Sequence, residues 1–417
     1  MGQTTDEKLA KLGQIFPEYD EAGLLDVLVS CDGSVKRSAR FLGRDDNEAN
    51  VVGGYTGAKR LKSQQTLSRF LKGTPSEIKS GVDRRQGKVI DLHTKDEIEK
   101  TLRYCSYHTD VLPNELADGL LRSTMNDPGY KASQFYLFGN KCVSNHKSRL
   151  FLPESRKEPF FYNGHEVKDY GWYGDEMMLA QVIIEDLVNV ELTKRKRLPF
   201  QVKPGEWVAQ AALSNSYNEG SNLDWHSDRM TNIGPHPVIA SLSLGFSREF
   251  RIRKGYPSNS QIYSIRPKHN SLIIMHAGFQ EEYKHCVPLI PKRSKIPTDD
   301  LNPISHTKRI NITYRNYLLK NTIFCKDCGS AMDLRRMFKD PQKRGRYFYL
   351  CSRSYTEANG FKDGNECKGF SYANFQNDPP LTDNEDHCSS WIAEDDHEAI
   401  YFRDQADRSQ MPFKSST

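Results

Sequence analysis

A chain of 417 residues, at about 100 to 200 per domain, has room for two to four folded units. With 37% hydrophobic and 27% charged residues, some tracts are too polar to bury enough surface to fold. The longest apolar runs, such as 271–275, fall far short of the ~20 residues a membrane span needs, and the first 30 residues carry no secretory pattern, so a soluble protein of the reducing interior is expected, without membrane partners. The net charge of +5 is uneven: residues 376–417 hold ten Asp or Glu against three Lys or Arg, a net of −7, leaving +12 on the rest. A basic body with an acidic tail points to a polyanionic partner such as nucleic acid. Nine cysteines without export argue against a disulfide framework.

Residues 1–43 read as a small three-helix bundle. Leu9, Leu12 and Phe16 share one helical face, Leu24, Leu25 and Leu28 a second, and Val35, Ala39 and Leu42 a third that Ser34 caps. Pro17 ends the first helix by restricting the residue before it. With Ile15-Phe16-Pro17 and Phe41-Leu42 at its ends, the segment resembles the CUE family of ubiquitin-binding domains. The resemblance implies that ubiquitin is a partner and that Phe16, Pro17 and Leu42 contact it.

Residues 44–86, rich in Gly, Ser and charge, read as a flexible linker. Within it, 64–71 place Leu67, Phe70 and Leu71 at i, i+3 and i+4, so one helical turn would present three anchors to a groove with Gln64 beside them. This stretch resembles the PCNA-interacting peptide, with Leu71 where a second aromatic usually stands. A sliding clamp is the implied partner, held by Gln64, Leu67, Phe70 and Leu71.

Residues 88–320 form the large domain. Thr94 and Glu97 make a capping-box pattern, a helix starts at Pro113 and runs through Leu121, and a longer amphipathic helix over about 175–194 is expected to bury Met178, Leu179, Val182, Ile183 and Leu187. From Trp207 to Tyr317, short β-branched and aromatic segments alternate with Gly- and Pro-containing turns, as in an antiparallel jelly roll flanked by helices. The fold class is therefore α+β.

Chemistry concentrates in this last stretch. His226 and Asp228 are two apart, hence on one face of a strand, and His285 can return a second imidazole from a later strand, with His276 and His269 as other candidates. Two His and one carboxylate on one face of a metal suit non-haem Fe(II) oxygenases. Alternation along 309–315 puts Arg309, Asn311, Thr313 and Arg315 on one side and Ile310 and Ile312 on the other, so two guanidiniums beside the metal could receive a dicarboxylate. Asn215 and Tyr217 are again two apart. Trp225, Trp172 and Tyr173 read equally as core or as stacking partners for a flipped base.

Together these motifs resemble the AlkB family of 2-oxoglutarate- and iron-dependent dioxygenases, over about 100–318, with its double-stranded β-helix fold. The resemblance implies that His226, Asp228 and His285 are catalytic and ligate Fe(II), and that Asn215, Tyr217, Arg309, Asn311 and Arg315 hold 2-oxoglutarate. It also implies oxidative dealkylation of N-alkylated bases in DNA, with RNA or protein as alternative substrates of the same iron site. Where the family's repair enzymes carry acidic residues after His-x-Asp, this chain has Arg229-Met230.

Cys325-x-x-Cys328, Cys351 and Cys367 can complete a closed tetrahedral zinc site in a module over 321–375. Gly345-Arg346-Tyr347-Phe348 between them resembles the GRF-type zinc finger, which implies single-stranded DNA as a partner. Arg335, Arg336, Arg346, Tyr347 and Phe348 interleave charge with aromatics as a strand binder needs. The tail, 376–417, is expected to be disordered. A nuclear, monomeric DNA dealkylase recruited through ubiquitin and a clamp is the expectation. The rival is a ubiquitin- and DNA-binding adaptor with vestigial catalysis.

Overall fold

The computed structural model describes residues 4–16, 24–25, 28, 35, 38–39, 89–137, 140–154, 159–162, 165–257, 259–291, 296–319, 321–354 and 367–410. The clamp-like motif at 64–71, Pro17 and Leu42 lie outside them. Two compact units are present, 1–88 with 137–140, and 89–136 with 141–417.

In the first unit, α1 (Thr5–Ile15) opens on a capping box in which Thr4 and Glu7 satisfy each other's backbone N–H. Leu9, Leu12 and Ile15 pack with Leu24, Leu28, Val35 and Ala39, as the helical spacing predicts. Phe16 sits in that same core with 1% of its surface exposed. This corrects its assignment as a ubiquitin contact: the ring closes the bundle and cannot face a partner.

The second unit holds the remaining elements. Strands β1 (Ile90–Leu92) and β2 (Cys105–His108) flank α2 (Lys95–Thr101), whose cap is the Thr94–Glu97 box, and α3 (Asn114–Asn126) follows. Next come β3 (Lys131–Leu137), β4 (Asn140–Leu152), β5 (Phe161–Tyr162), β6 (His165–Glu166), β7 (Gly171–Trp172) and α4 (Asp175–Thr193). The barrel strands are β8 (Ala211–Tyr217), β9 (Leu223–His226), β10 (Ile239–Gly245), β11 (Phe250–Lys254), β12 (Tyr263–Ile265), β13 (Ser271–Met275), β14 (Tyr283–Val287) and β15 (Arg309–Arg315). Two short helices, α5 (Met230–Ile233) and α6 (Phe279–Glu282), interrupt them.

One sheet has the order β1-β12-β11-β14-β9, the other β2-β13-β10-β15-β8-β4-β3 with β7 on β4. From β8 to β15 the chain passes back and forth between the two sheets, an arrangement of mixed helices and antiparallel sheets consistent with a jelly roll. Ile239, Phe250, Ile252, Ile265, Ile273 and Phe279 fill the space between the sheets. Leu242, Leu244, Ile310, Ile312 and Tyr314 point the other way, into a layer shared with α3 and α4.

Helix α4 exists where the apolar periodicity puts it, but its buried stripe is Met177, Ala180, Ile184, Val188 and Leu192. Met178, Leu179 and Val182 are exposed, against expectation. Nearly every turn of this helix carries an apolar residue on both sides, and the small Ala180 lets the other side approach the sheet.

The cysteine module adds β16 (Met332–Arg336), β17 (Tyr347–Cys351), β18 (Phe370–Ala373) and β19 (Leu381–Thr382) in one antiparallel sheet, before a last helix α7 (His397–Gln410). The acidic tail is ordered as far as 410, not disordered as its composition predicts. Its carboxylates find fixed cations: Glu394 pairs with Arg103, Asp395 with Lys254, Asp396 and Glu398 with Arg344, and Glu385 with Arg346. Trp391 supplies the apolar anchor, edge-on to Tyr104 and His236. Among the described residues no helix is long and apolar enough to cross a membrane.

Candidate active site

The polar side chains between the sheets follow from register. Gly245, Arg309 and Tyr217 stand side by side on β10, β15 and β8, as do Ser243, Asn311 and Asn215, then Ser241, Thr313 and Leu213. Alternation sends all of these inward, because the intervening residues Ile310, Ile312 and Tyr314 belong to the layer under the helices. Facing this wall from the other sheet, His285 on β14 pairs with His226 on β9, with ring centroids 4.2 Å apart.

Asp228 completes the group. Its Oδ1 lies 3.7 Å from His226 Nε2 and 3.6 Å from His285 Nε2, and one ligand atom from each of the three residues fits within 4.8 Å of the others. Its Oδ2 is taken by Arg315 Nη2 at 2.5 Å, and its backbone N–H donates to Gln280 Oε1 at 2.7 Å. His226 Nδ1 is 2.8 Å from the carbonyl of Asp224, so that nitrogen carries the proton and Nε2 keeps its lone pair for a metal. Phe250 and Phe279 flank the His285 ring. Burial and the neighbouring His226 push the His285 pKa down to about 3. Burial alone would raise the Asp228 carboxyl, but Arg315 and the two imidazoles outweigh it and leave the pKa lowered. A neutral His285 imidazole beside an ionised Asp228 carboxylate is the combination a divalent metal requires.

Arg309 is 1% exposed. Its Nη2 donates to Ser243 Oγ at 2.9 Å and its guanidinium sits 5.5 Å from the centre of the Tyr217 ring, while Nε and Nη1 have no hydrogen-bond partner among the described residues. Burial pushes its pKa down to about 10, so it stays charged. A buried cation with two unanswered donors is a site made for a carboxylate. Both the iron and the 2-oxoglutarate that the motifs imply therefore fit the residues present. Asn311 turns to Ser241 Oγ and the Leu242 carbonyl, which fixes it in the wall.

The other two candidate ligands are elsewhere: His276 bonds to Ser106 Oγ at 2.8 Å, and His269 accepts from the Gly245 N–H and faces Asp118. Tyr173 is core, edge-on to Tyr314, whereas Trp172 is half exposed and Trp225 lies under Arg253. Ser241, Ser243, Gln280 and the triply bonded Arg248, which ties the carbonyls of Asn218, Ser221 and Pro288 together, escape the sequence reading. Only the inward alternation of Ser241 and Ser243 beside hydrophobic Leu242 could have signalled the first two.

The cysteines also converge. Sγ of Cys325 is 3.5 Å from that of Cys367, Cys328 and Cys351 are equally close, and all four lie within 4.8 Å. A Cβ at Gly369 would stand 2.3 Å from Cys325 Sγ, so only glycine fits there. The aromatic candidates divide: Phe348 lies on the outward face, stacked on Phe370, while Tyr347 is fully buried with its hydroxyl toward Glu281. Stacking on a strand is thus closed to Tyr347. Arg346 is engaged by Glu385 and Arg336 by Glu282, and Arg335 stands opposite Phe348 in cross-strand register. The module is not separate from the barrel: Arg229 Nη1 reaches Asp333 at 3.0 Å, and Met230 packs in the module's core. A cavity of about 500 Å³ runs from Asp228 to Arg335 and Phe338 between the two.

The fold and this site define an iron- and 2-oxoglutarate-dependent oxygenase, and residues 105–315 match the 2OG-Fe(II) oxygenase superfamily, to which the chain belongs. Within it, the chain is similar to AlkB homologues. It is 37% identical over 111 residues to the cattle (Bos taurus) alpha-ketoglutarate-dependent dioxygenase alkB homolog 3, covering 25% of this chain and 35% of that protein. It is 24% identical over 200 residues to the Arabidopsis thaliana DNA oxidative demethylase ALKBH2, 43% and 55% of the two chains, and 28% identical over 124 residues to the RNA demethylase ALKBH9B of the same plant, 29% and 21%. The chain thus spans about a third of the first relative and little more than half of the second.

Proposed function

We propose that this protein is a nuclear, Fe(II)- and 2-oxoglutarate-dependent oxidative dealkylase of N-alkylated bases in DNA. The observation that carries the reading is the two-imidazole, one-carboxylate cluster facing a buried Arg309 with two unanswered donors. His226, Asp228 and His285 hold the iron, and Arg309 and Arg315, with Tyr217, Asn215 and Asn311 beside them, hold 2-oxoglutarate. When bound, the pair supplies the oxidation of an N-alkyl carbon, whose hydroxylated product loses formaldehyde to leave the free base. Arg315 keeps Asp228 turned with Oδ1 toward the imidazoles, and Phe250 and Phe279 keep water from the His285 ring. The substrate base enters from a single strand or is extruded from a duplex, since a stacked base cannot reach a pocket between two sheets.

Cys325, Cys328, Cys351 and Cys367 hold zinc and form a GRF-like module, with Arg335 and Phe348 as its strand-binding pair. The amino-terminal unit is a CUE-like ubiquitin binder, and 64–71 a clamp ligand; titration of a 59–75 peptide into the clamp tests the latter, and absence of heat refutes it. Mass spectrometry of methylated single-stranded DNA and RNA, incubated with protein, Fe(II) and 2-oxoglutarate, tests the main reading. Loss of the methyl mass from DNA with matching succinate is expected. Succinate without any nucleic-acid product would refute it. RNA as substrate is the second reading, favoured because Arg229 and Met230 are engaged by the cysteine module and so leave the base pocket without the acidic residues of the repair enzymes.

A further inference from the structure

Resting on the iron reading above, we propose that the cysteine module is the positioning scaffold of the iron site, and that Asp333 on β16 is its positioning residue. Two of the three ligands lie next to segments that the module grips.

The first grip is on the chain leaving Asp228. Asp333, 2% exposed, holds Arg229 Nη1 on Oδ2 at 3.0 Å and Thr231 Oγ1 on Oδ1 at 3.1 Å. Between those two residues Met230, 7% exposed, packs against Met332, Leu334 and Ile323. The backbone of Leu319, at the start of the module, donates to the carbonyl of Asn232. Residues one to three beyond the ligand are thus seated on the module's side chains and the fourth on the backbone that leads into it.

The second grip is on the chain approaching His285. Arg336 Nη1 donates to the Glu281 carbonyl at 2.9 Å, its Nη2 pairs with Glu282 at 3.2 Å, and the Tyr347 hydroxyl reaches Glu281 Oε1 at 3.4 Å. These residues adjoin Gln280, the acceptor for the Asp228 N–H, and lead directly into β14. Positions 229 and 230 therefore serve as the joint between module and barrel. Outer residues that orient ligands typically change metal affinity about 10- to 100-fold, and Asp333, one residue further out, belongs at the lower end.

The test uses the full-length protein under anaerobic conditions. Fe(II) is titrated in the presence of 2-oxoglutarate while the charge-transfer absorption of the complex is followed, and zinc is counted by atomic emission. Asp333→Asn should weaken Fe(II) binding about tenfold and shift the absorption band, with zinc content unchanged. Glu385→Gln, in the acidic tail and paired with the module's Arg346 away from both grips, should leave iron affinity as in the wild type. Iron affinity within twofold of wild type in zinc-replete Asp333→Asn overturns the proposal. Should that variant shed zinc, Arg229→Met, outside the module, decides by the same criterion. A wild-type protein that shows no Fe(II)–2-oxoglutarate band would instead refute the iron reading itself.

Discussion

Arg309 offers the sharpest test of how the polar wall works. Two of its donors are buried and unanswered, so a bound carboxylate would gain two charge-assisted hydrogen bonds of about 1.5–3 kcal/mol each, or about 3–6 kcal/mol together. Arg309→Met should therefore weaken 2-oxoglutarate binding about a hundredfold to ten-thousandfold. Arg309→Lys, which keeps the charge and loses the fork, should cost about half that free energy. The same argument gives the opposite sign without co-substrate: methionine removes a desolvated cation, so the variant should melt higher than wild type in the absence of 2-oxoglutarate. Calorimetric titration of 2-oxoglutarate with Mn(II) in place of iron, paired with thermal melts with and without the ligand, reads both effects. An Arg309→Met protein that binds 2-oxoglutarate within a few-fold of wild type, or that melts lower when unliganded, would refute the assignment of its free donors.

Three other outcomes are expected. Asp228→Ala should abolish succinate formation and, by removing the carboxylate to which Arg315 Nη2 donates, lower stability by about 1.5–3 kcal/mol in urea titrations. Gly369→Ala should deplete zinc, since its methyl meets Cys325 Sγ, and metal analysis of the purified protein would show it. The carboxyls of Glu394 and Asp395 are held low, the first by Arg103, the second by Lys254 against the opposing effect of burial. Groups with lowered folded-state pKa values stabilise docking above the ordinary carboxylate value of about 4, and that contribution is lost as pH falls through the lowered values. Hydrogen exchange over 391–400 should accelerate selectively on acidification below about 4, and uniform exchange across that range would contradict it.

Much of the site was legible because strands alternate. The run from Arg309 to Arg315 needed no tertiary information to face one way, whereas β9 ends at His226, so Asp228 joins the cluster from the loop beyond the strand, held there by Gln280 and Arg315 rather than by alternation. What escaped were facts set by long-range packing. Phe16 and Tyr347 are the residue types a binding surface uses, yet each is the plug of a small core, and only the packed unit distinguishes the two uses. Helix α4 has two apolar sides, and which one the sheet takes depends on Ala180. The acidity of the tail suggested disorder, because a sequence does not show that Arg103, Lys254 and Arg344 stand ready to receive it.

The position of Trp391 sets the timetable of folding. Its ring closes on Tyr104 and His236, and the neighbouring Glu394 reaches Arg103, 291 residues earlier in the chain. Synthesis at about 5–20 residues per second delivers every barrel strand before this segment leaves the ribosome, so a nascent barrel waits seconds with those side chains uncovered. Such distant closures are slow as well as late, since loop entropy must be met before the contact returns anything. A chain stopped after the barrel would keep an apolar seam where Trp391 meets Tyr104 and His236.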